Sequence, residues 1–306
     1  MKHASLTNES CDFIAGRPVP IVGDSLRSHN PAHPDRAVHT CSPQPAHVDA
    51  AVRAAREALP AWSRWPIERR IEILRAYQSI VKQREPAIAD LICDEVGKAM
   101  WESQAEARAL AEKVDITLAE GPTSGRARVT NFEINVSDTR AGRCIFRPHG
   151  VMAVIGPFNF PAHLPNGHIV PALLTGNPIV LKPSDKTPAI GQLLAELFIA
   201  ALDQCGAPKG VVNLVQGGAE VASALTSHND IDGILFTGSW PVGRRILEAN
   251  LDRPGRIVAL ELGGNNPTVV MPDADLKQAA IEAARSGYAT TGQRCTCMRR
   301  LIVHRD

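Results

Sequence analysis

The two cysteines in the segment TTGQRCTCMRR, residues 290–300, are candidates for nucleophilic chemistry. Cys295 and Cys297 are separated by one residue, whereas a zinc site needs C-x2–4-C pairs or matching histidines, and no second pair exists. We therefore expect no metal. Arg294, Arg299 and Arg300 could favour a thiolate by stabilising its charge. Spacing alone leaves two interpretations open, a thiolate nucleophile or two small residues of the core.

A carboxylate and a carboxamide each follow an apolar run. Glu261 ends the segment RIVALELGG, where a carboxylate is costly unless it is paired or serves as a general base. Asn159 lies in a loop after VMAVIG, and its amide could stabilise an oxyanion. His163 and His168 miss the spacing of a helical metal pair. A partnered structural glutamate and a turn-stabilising asparagine remain open alternatives.

Two further segments could bind phosphate or ribose. In IVLKPSDKTP, Lys182 ends an apolar run, and a short acid follows three residues later. In LFTGSWPVGRRI, a Gly-rich turn precedes a helix, although its spacing matches neither G-x-G-x-x-G nor the P-loop. A solvated turn and an ordinary strand-to-helix turn remain open. The candidate residues are Lys182, Ser184, Asp185, Gly238, Ser239, Trp240, Pro241, Val242 and Gly243.

The composition indicates a cytoplasmic globular protein. The 306 residues contain 33 Lys plus Arg and 32 Asp plus Glu, so the net charge of +1 predicts no attraction to nucleic acid or an anionic membrane. No apolar stretch has the length of about 18 residues that spans a bilayer, and the N-terminus lacks the apolar segment of a signal peptide. The 7 scattered cysteines suit reduced thiols.

The order of patterns along the chain predicts an α/β fold. Residues 1–45 are rich in turn and loop signals, and residues 46–121 contain four amphipathic helices, of which the second ends at about residue 84 and the third begins at about residue 85. Alternating apolar residues predict a β-hairpin at about 128–148, with a turn at 137–142. From residue 150 onward, five short apolar runs alternate with three helical segments, AIGQLLAELFIAAL, AEVASALTSH and PVGRRILEANL. This pattern predicts a parallel sheet that binds ligands at the carboxyl ends of its strands.

The segments GPFNFP, LKPSDKTP, LFTGSWPVG, LELGGNNP and TGQRC, in this order, resemble the landmarks of the aldehyde dehydrogenase superfamily. The resemblance runs from about residue 12 to the end and implies a Rossmann-type cofactor domain with an incomplete catalytic domain. It implies an N-terminal segment and helical part at 1–127, an oligomerisation hairpin at 128–149, an NAD-binding α/β domain at 150–261 and the start of the catalytic domain at 262–306.

The resemblance also implies a role for each candidate residue. Cys295 matches the nucleophile, Glu261 the base that activates water, and Asn159 the oxyanion donor, while Cys297 has no assigned role. Lys182 and Asp185 match contacts to the adenosine ribose, and Ser239 with the 238–243 turn matches the pyrophosphate site. Asp185 replaces the glutamate usual in NAD-preferring members, but an acid there still favours NAD over NADP by repelling a 2′-phosphate.

The phrases HLPNGHIVPAL and CTC resemble a narrower group that oxidises a succinylated semialdehyde in arginine catabolism. Such a substrate carries two carboxylates, and Arg294, Arg299 and Arg300 are candidates to bind them. Surface cations or helix caps remain an alternative for these arginines, and another small-molecule semialdehyde remains an alternative substrate.

Members of the superfamily have much longer chains and form homo-oligomers, which leaves two hypotheses. In the first, the sequence belongs to a dehydrogenase whose remainder is supplied elsewhere. In the second, it is a truncated, inactive remnant that retains a nucleotide-binding domain. Assembly of this remnant into an oligomer is doubtful, because the hairpin lacks its partner strand. We expect little NAD-linked aldehyde oxidation from the isolated chain. A Cys-dependent hydrolase is disfavoured because the sequence shows no positioned His–acid pair.

Overall fold

The structure, a computed structural model, describes residues 9–121 and 125–305. Residues 1–8, on which the prediction of no signal peptide rests, lie outside the described residues. So do residues 122–124 of the predicted N-terminal segment, and Asp306.

Four strands occupy a part of the chain for which the sequence pattern favours the interpretation of turns and loops. That interpretation is wrong for most of residues 11–41, which form β1 (Cys11–Ile14), β2 (Arg17–Pro20), β3 (Leu26–Asn30) and β4 (His33–Cys41). β2 contains two prolines, and it is tolerated as a strand because it lies at the edge of its sheet, where a missing N–H breaks no ladder. β3 and β4 form a separate antiparallel pair.

The predicted helical block at residues 46–121 is confirmed. It consists of α1 (His47–Arg64), α2 (Ile67–Val96) and α3 (Met100–Leu118). The predicted boundary between two helices at residues 84–85 is wrong, because α2 continues through Pro86. Val81, Ile88 and Ile92 on both sides of this proline are buried in one core, so packing outweighs the local cost of proline.

The β-hairpin predicted after this block is confirmed as β5 (Phe132–Ser137) and β6 (Arg140–Cys144). Its turn is shorter than the predicted 137–142, because the strands still pair at Ser137 and Arg140. Phe132, Ile134 and Val136 are exposed apolar residues of this hairpin.

Strands and helices alternate from residue 150, as predicted. They are β7 (Met152–Ile155), α4 (His163–Leu174), β8 (Ile179–Lys182), α5 (Pro188–Gln204), β9 (Val212–Leu214), α6 (Ala219–Ser227), β10 (Gly233–Gly238), α7 (Trp240–Glu248) and β11 (Ile257–Leu262). The five predicted strands are all present. α4 is not among the predicted helices, since two prolines and a glycine interrupt its sequence.

The seven-stranded central sheet has the order β11-β10-β7-β8-β9-β1-β2. The first five strands are parallel to one another, and β1 pairs antiparallel with both β9 and β2. Both faces of β7 are covered, because successive side chains of a strand point to opposite faces. Met152 and Val154 belong to one buried core, shared with α2 to α5. Ala153 and Ile155 belong to a second core, shared with α1, α6 and α7.

The last segment begins the part that the resemblance assigns to a catalytic domain. β12 (Asn266–Val270) and β13 (Met298–Val303) form a parallel pair connected by α8 (Leu276–Tyr288). A short 3-10 turn, Ala289–Gly292, follows α8 and leads to Cys295. Of the helices in residues 9–121 and 125–305, none has both the length and the apolar character needed to cross a membrane.

Candidate active site

A cleft of about 800 Å³ opens at the carboxyl ends of the parallel strands. The turns after β7, β8, β10 and β11 line it, together with segment 293–299. The carboxyl ends of parallel strands meet at one edge of a sheet, so these four turns converge there although they are distant in the sequence. The cleft lining includes Asn159, Lys182, Ser184, Asp185, Gly238, Ser239, Val242, Glu261, Arg294, Cys295 and Arg299.

The two neighbouring cysteines have opposite environments. Cys295 is exposed and lines the cleft, whereas Cys297 is only 1% exposed. The side-chain amide of Asn266 donates to the backbone carbonyls of both cysteines, at 2.7 Å and 3.0 Å, and so fixes the intervening backbone. Cys297 is thereby held as a core residue, and only Cys295 is accessible to a ligand in the cleft.

Asn159 lies in the turn between β7 and α4, half-buried at the cleft wall. Its Nδ2 donates a 2.6 Å hydrogen bond to the backbone carbonyl of Gln293, two residues before Cys295. An amide NH₂ group has two hydrogens, so the second can donate to an oxyanion that forms on a substrate.

Lys182 is the last residue of β8 and is 5% exposed, although it lines the cleft. Burial lowers the pKa of Lys182 to about 8, and nearby Asp185 partly opposes this change. The Ser184 Oγ accepts from the backbone N–H of Lys186 at 3.2 Å, which stabilises the turn that carries Asp185. Asp185 itself is exposed, and its carboxylate is open to solvent from the cleft.

Helix α7 begins at the end of β10 and directs its N-terminus into the cleft. Ser239 is the N-cap residue, Trp240 and Pro241 follow as the first helical residues, and Val242 lines the cleft. The first N–H groups of a helix have no intrahelical acceptor and can bind an anion. A Cβ on Gly243 would lie 2.7 Å from Leu262 Cδ2, so this glycine allows α7 to lie close to β11.

Glu261 is exposed on β11, so the sequence-based expectation of a carboxylate buried in an apolar strand is wrong. β11 is an edge strand, which leaves this side chain open to the cleft. Glu261 is paired in register with Thr237 on β10, and Thr237 Oγ1 lies 3.2 Å from His168 Nε2. Burial lowers the pKa of His168, while Glu261 opposes this change. His168 therefore has a neighbour at the site that its sequence spacing does not reveal.

The three arginines near Cys295 are not equivalent. Arg294 and Arg299 line the cleft, and Arg299 also donates to the backbone carbonyl of Gly292 at 2.9 Å. Arg300 donates to the backbone carbonyl of Asn265 at 3.0 Å and is not among the cleft residues. Only the first two are therefore placed to meet a ligand.

The arrangement fits a dinucleotide. The cleft contains a helix N-terminus that could bind a pyrophosphate. A buried lysine and an exposed acid lie on the turn after β8, at the same edge of the sheet, where ribose hydroxyls could bind. An exposed thiol, an amide and a carboxylate lie along the same cleft. The sequence-predicted candidates are thus brought together along the cleft, except that Trp240, Pro241, Gly243 and Arg300 are not among its lining residues.

Comparisons with known proteins agree with this geometry. Residues 21–306 match the model of the aldehyde dehydrogenase family. N-succinylglutamate 5-semialdehyde dehydrogenase 2 of Caulobacter vibrioides is 48% identical over 297 residues, which cover 96% of this chain and 59% of the relative. A protein called N-succinylglutamate 5-semialdehyde dehydrogenase from Caulobacter sp. (strain K31) is 49% identical over 85% of this chain and 52% of its own length. The chain thus spans about half to three fifths of these relatives.

Solved structures show the same fold. The crystal structure of an E. coli NADP-dependent enzyme has a TM-score of 0.87 and 34% identity, over 96% of this chain and 60% of that one. The structure of indole-3-acetaldehyde dehydrogenase in complex with NAD⁺ has a TM-score of 0.86 and 29% identity, and the match covers 97% of this chain and 59% of that one. The family match covers most of the sequence, and the fold extends over nearly all of it. The chain belongs to the aldehyde dehydrogenase family.

Proposed function

We propose that the chain carries the cofactor-binding region and the nucleophile of an NAD-dependent dehydrogenase that oxidises N-succinylglutamate 5-semialdehyde to N-succinylglutamate, in arginine catabolism. The observation that carries the proposal is the convergence of Cys295, Asn159 and Glu261 on the cleft that also contains Lys182 and the N-terminus of α7. The printed names of the Caulobacter relatives support the choice of substrate.

In the proposed reaction, the thiolate of Cys295 adds to the aldehyde carbon, and the free N–H of Asn159 stabilises the resulting oxyanion. NAD⁺, when bound, supplies the acceptor for the hydride that leaves this carbon. The product is a thioester on Cys295. Glu261 then removes a proton from the water molecule that attacks the thioester, which releases the carboxylate product and restores the thiol.

Two residues favour NAD over NADP in this proposal. The carboxylate of Asp185 would accept hydrogen bonds from ribose hydroxyls and repel a 2′-phosphate, while Lys182 would donate to the same ribose. The solved relatives include both an NADP-dependent enzyme and an NAD⁺ complex, so the preference rests on these two side chains. Comparing NADH with NADPH formation tests it directly.

The substrate end of the cleft is positively charged in this proposal. Arg294 and Arg299 would bind the carboxylates of the succinylated substrate, whereas Arg300 has no such position. We also propose four parts of the chain: an N-terminal segment with the helical region at 1–127, the hairpin at 128–149, the NAD-binding domain at 150–261 and the start of the catalytic domain at 262–306. The exposed apolar residues of the β5–β6 hairpin would join two copies of the protein.

The decisive experiment compares Cys295→Ser with Cys297→Ser in the protein as its gene encodes it. Formation of NADH from succinylglutamate semialdehyde should disappear in the first variant and persist in the second, because only Cys295 reaches the cleft. Equal turnover by Cys295→Ser and the unmodified protein would reject the proposal. Binding of NAD⁺, measured by calorimetry, should be similar in both variants.

A further inference from the structure

Two buried glutamates lie one turn apart on α3, and each reaches a different loop of the proposed active site. Glu102 is 7% exposed and Glu106 is 3% exposed. A buried carboxylate is unfavourable unless hydrogen bonds or an opposite charge compensate the lost hydration. The partners of the two side chains therefore indicate what each one stabilises.

Glu102 stabilises a turn that leads directly to Cys295. The Oε1 atom of Glu102 accepts a 2.5 Å hydrogen bond from the backbone N–H of Thr290. Thr290 and Thr291 have φ angles of 53° and 54°, in the left-handed region that β-branched residues rarely adopt. The chain reaches Cys295 only a few residues later, so an anion on α3 holds a strained turn next to the candidate nucleophile.

Glu106 stabilises the loop that carries Asn159. Its Oε1 accepts the backbone N–H groups of Ala162 and His163, each at 3.1 Å, at the beginning of α4. Its Oε2 lies 2.5 Å from Lys98 Nζ, in a pair whose side chains are both fully buried.

The same lysine contacts the Asn159 loop. Lys98 Nζ lies 3.5 Å from the ring centroid of Phe160, the residue after Asn159. The bond from Asn159 Nδ2 to the Gln293 carbonyl then joins this loop to the one that carries Cys295. Both loops thus depend on α3, which lies outside the segments lining the cleft.

We propose that Glu102 is a positioning residue for Cys295. Its carboxylate holds the left-handed turn at Thr290 and Thr291, and thereby the loop that presents the thiol beside the Asn159 amide. The inference rests on the proposed function, since it gives Glu102 a purpose in the reaction of that thiol. Glu106 has the corresponding effect on the Asn159 loop.

Three variants of one helix test this inference. Glu102→Ala removes the acceptor, Glu102→Gln keeps an acceptor oxygen, and Glu112→Ala removes an exposed carboxylate of α3 as a control. Hydrogen exchange at residues 289–295 should rise about tenfold in Glu102→Ala, and kcat should fall about 100-fold while KM for NAD⁺ stays constant. Glu102→Gln should retain most of the exchange protection and most of kcat, and Glu112→Ala should change neither.

The outcomes separate the positioning role from a general effect on stability. Unchanged exchange at residues 289–295 in Glu102→Ala would overturn the inference, as would a rise along all of α3 or equal damage by Glu102→Gln. If Glu102→Ala does not fold, Glu102→Asp replaces it, because aspartate keeps the charge but is too short to reach Thr290.

The exchange measurement does not need turnover, so it also separates this inference from the proposed function. Local loss of protection with no aldehyde oxidation by the unmodified protein would retain the Glu102–Thr290 tether and reject the proposed function. If the unmodified protein oxidises the aldehyde and Glu102→Ala does so equally fast, the proposed function is retained and the positioning role of Glu102 is rejected.

Discussion

Asn159 and Gln293 are joined by a 2.6 Å hydrogen bond from side-chain amide to backbone carbonyl, across 134 residues of sequence. The bond fixes the orientation of the amide beside the loop of Cys295. We expect Asn159→Ala to lower kcat for aldehyde oxidation by about 10²- to 10³-fold, because it removes a donor to the oxyanion. Steady-state kinetics measure the change in kcat, and a melting curve shows whether the variant keeps its fold. Asn131→Ala, in the loop before β5, is the matched control. A kcat within twofold of the unmodified protein would contradict the assigned role.

Glu261 is expected to act after hydride transfer rather than before it. Glu261→Gln keeps the size of the side chain but cannot accept a proton, so thioester hydrolysis should slow by about 10²- to 10⁴-fold. Rapid mixing should then show a burst of about one NADH per Cys295, followed by slow turnover. Glu248→Gln, an exposed change on α7, should leave the kinetics unaltered. The loss of the burst itself would assign Glu261 to an earlier step.

Lys182 should make the free energy of unfolding depend on pH. Burial lowers the pKa of Lys182 to about 8 in the folded protein, below the ordinary value of 10.5. Between these two pH values the unfolded chain binds more protons, so the folded state gains stability as the pH rises from 8 to 10.5. Lys182→Met removes the buried charge and should stabilise the protein at pH 7 by on the order of 1–3 kcal/mol.

Urea unfolding at pH 7 and pH 10 measures this effect. The advantage of Lys182→Met should shrink at the higher pH, where the native lysine is mostly neutral in the folded state. The exposed Lys186→Met is the control and should show no such change. An advantage that stays the same at both values would mean that the lysine charge does not limit stability.

Two helical glycines should respond in opposite ways to alanine. A Cβ on Gly191 in α5 would lie 2.2 Å from Pro183 Cβ, whereas a Cβ on Gly167 in α4 meets nothing within 4 Å. Gly191→Ala must displace the rigid proline next to Lys182, and we expect it to destabilise the protein by about 1–3 kcal/mol and to weaken NAD⁺ binding. Gly167→Ala should be neutral or stabilising. Thermal unfolding measures the change in stability, and NAD⁺ titration measures the change in binding. Equal stability and equal NAD⁺ affinity of the two variants would contradict the prediction.

Local patterns predict the central sheet well. The apolar runs around Val154 and Leu181 are buried on both faces and bounded by turn residues, which is the pattern of a parallel strand. The same patterns fail where tertiary packing outweighs propensity. Pro86 lies within α2, and α4 persists because Asn166 is held by Tyr77 and by the carbonyl of Leu110.

The candidate site is predicted in part, and the reason is physical. Residue order indicates Cys295, but spacing cannot distinguish it from Cys297, because the difference is one of burial. An apolar sequence around Glu261 indicates a buried carboxylate, yet the edge position of β11 exposes it. Glu102 gives no sequence signal, since its partner is a backbone N–H 188 residues away.

The N-terminal strand β1 has a kinetic consequence. Gln216 donates its side-chain amide to the carbonyl of Cys11, 205 residues earlier, and β1 pairs with β9 at Phe13 and Leu214. During synthesis β1 leaves the ribosome long before β9, so it must wait for its partner while most of the chain is added. Closing so long a loop is slow, and the central sheet should therefore be completed late in folding.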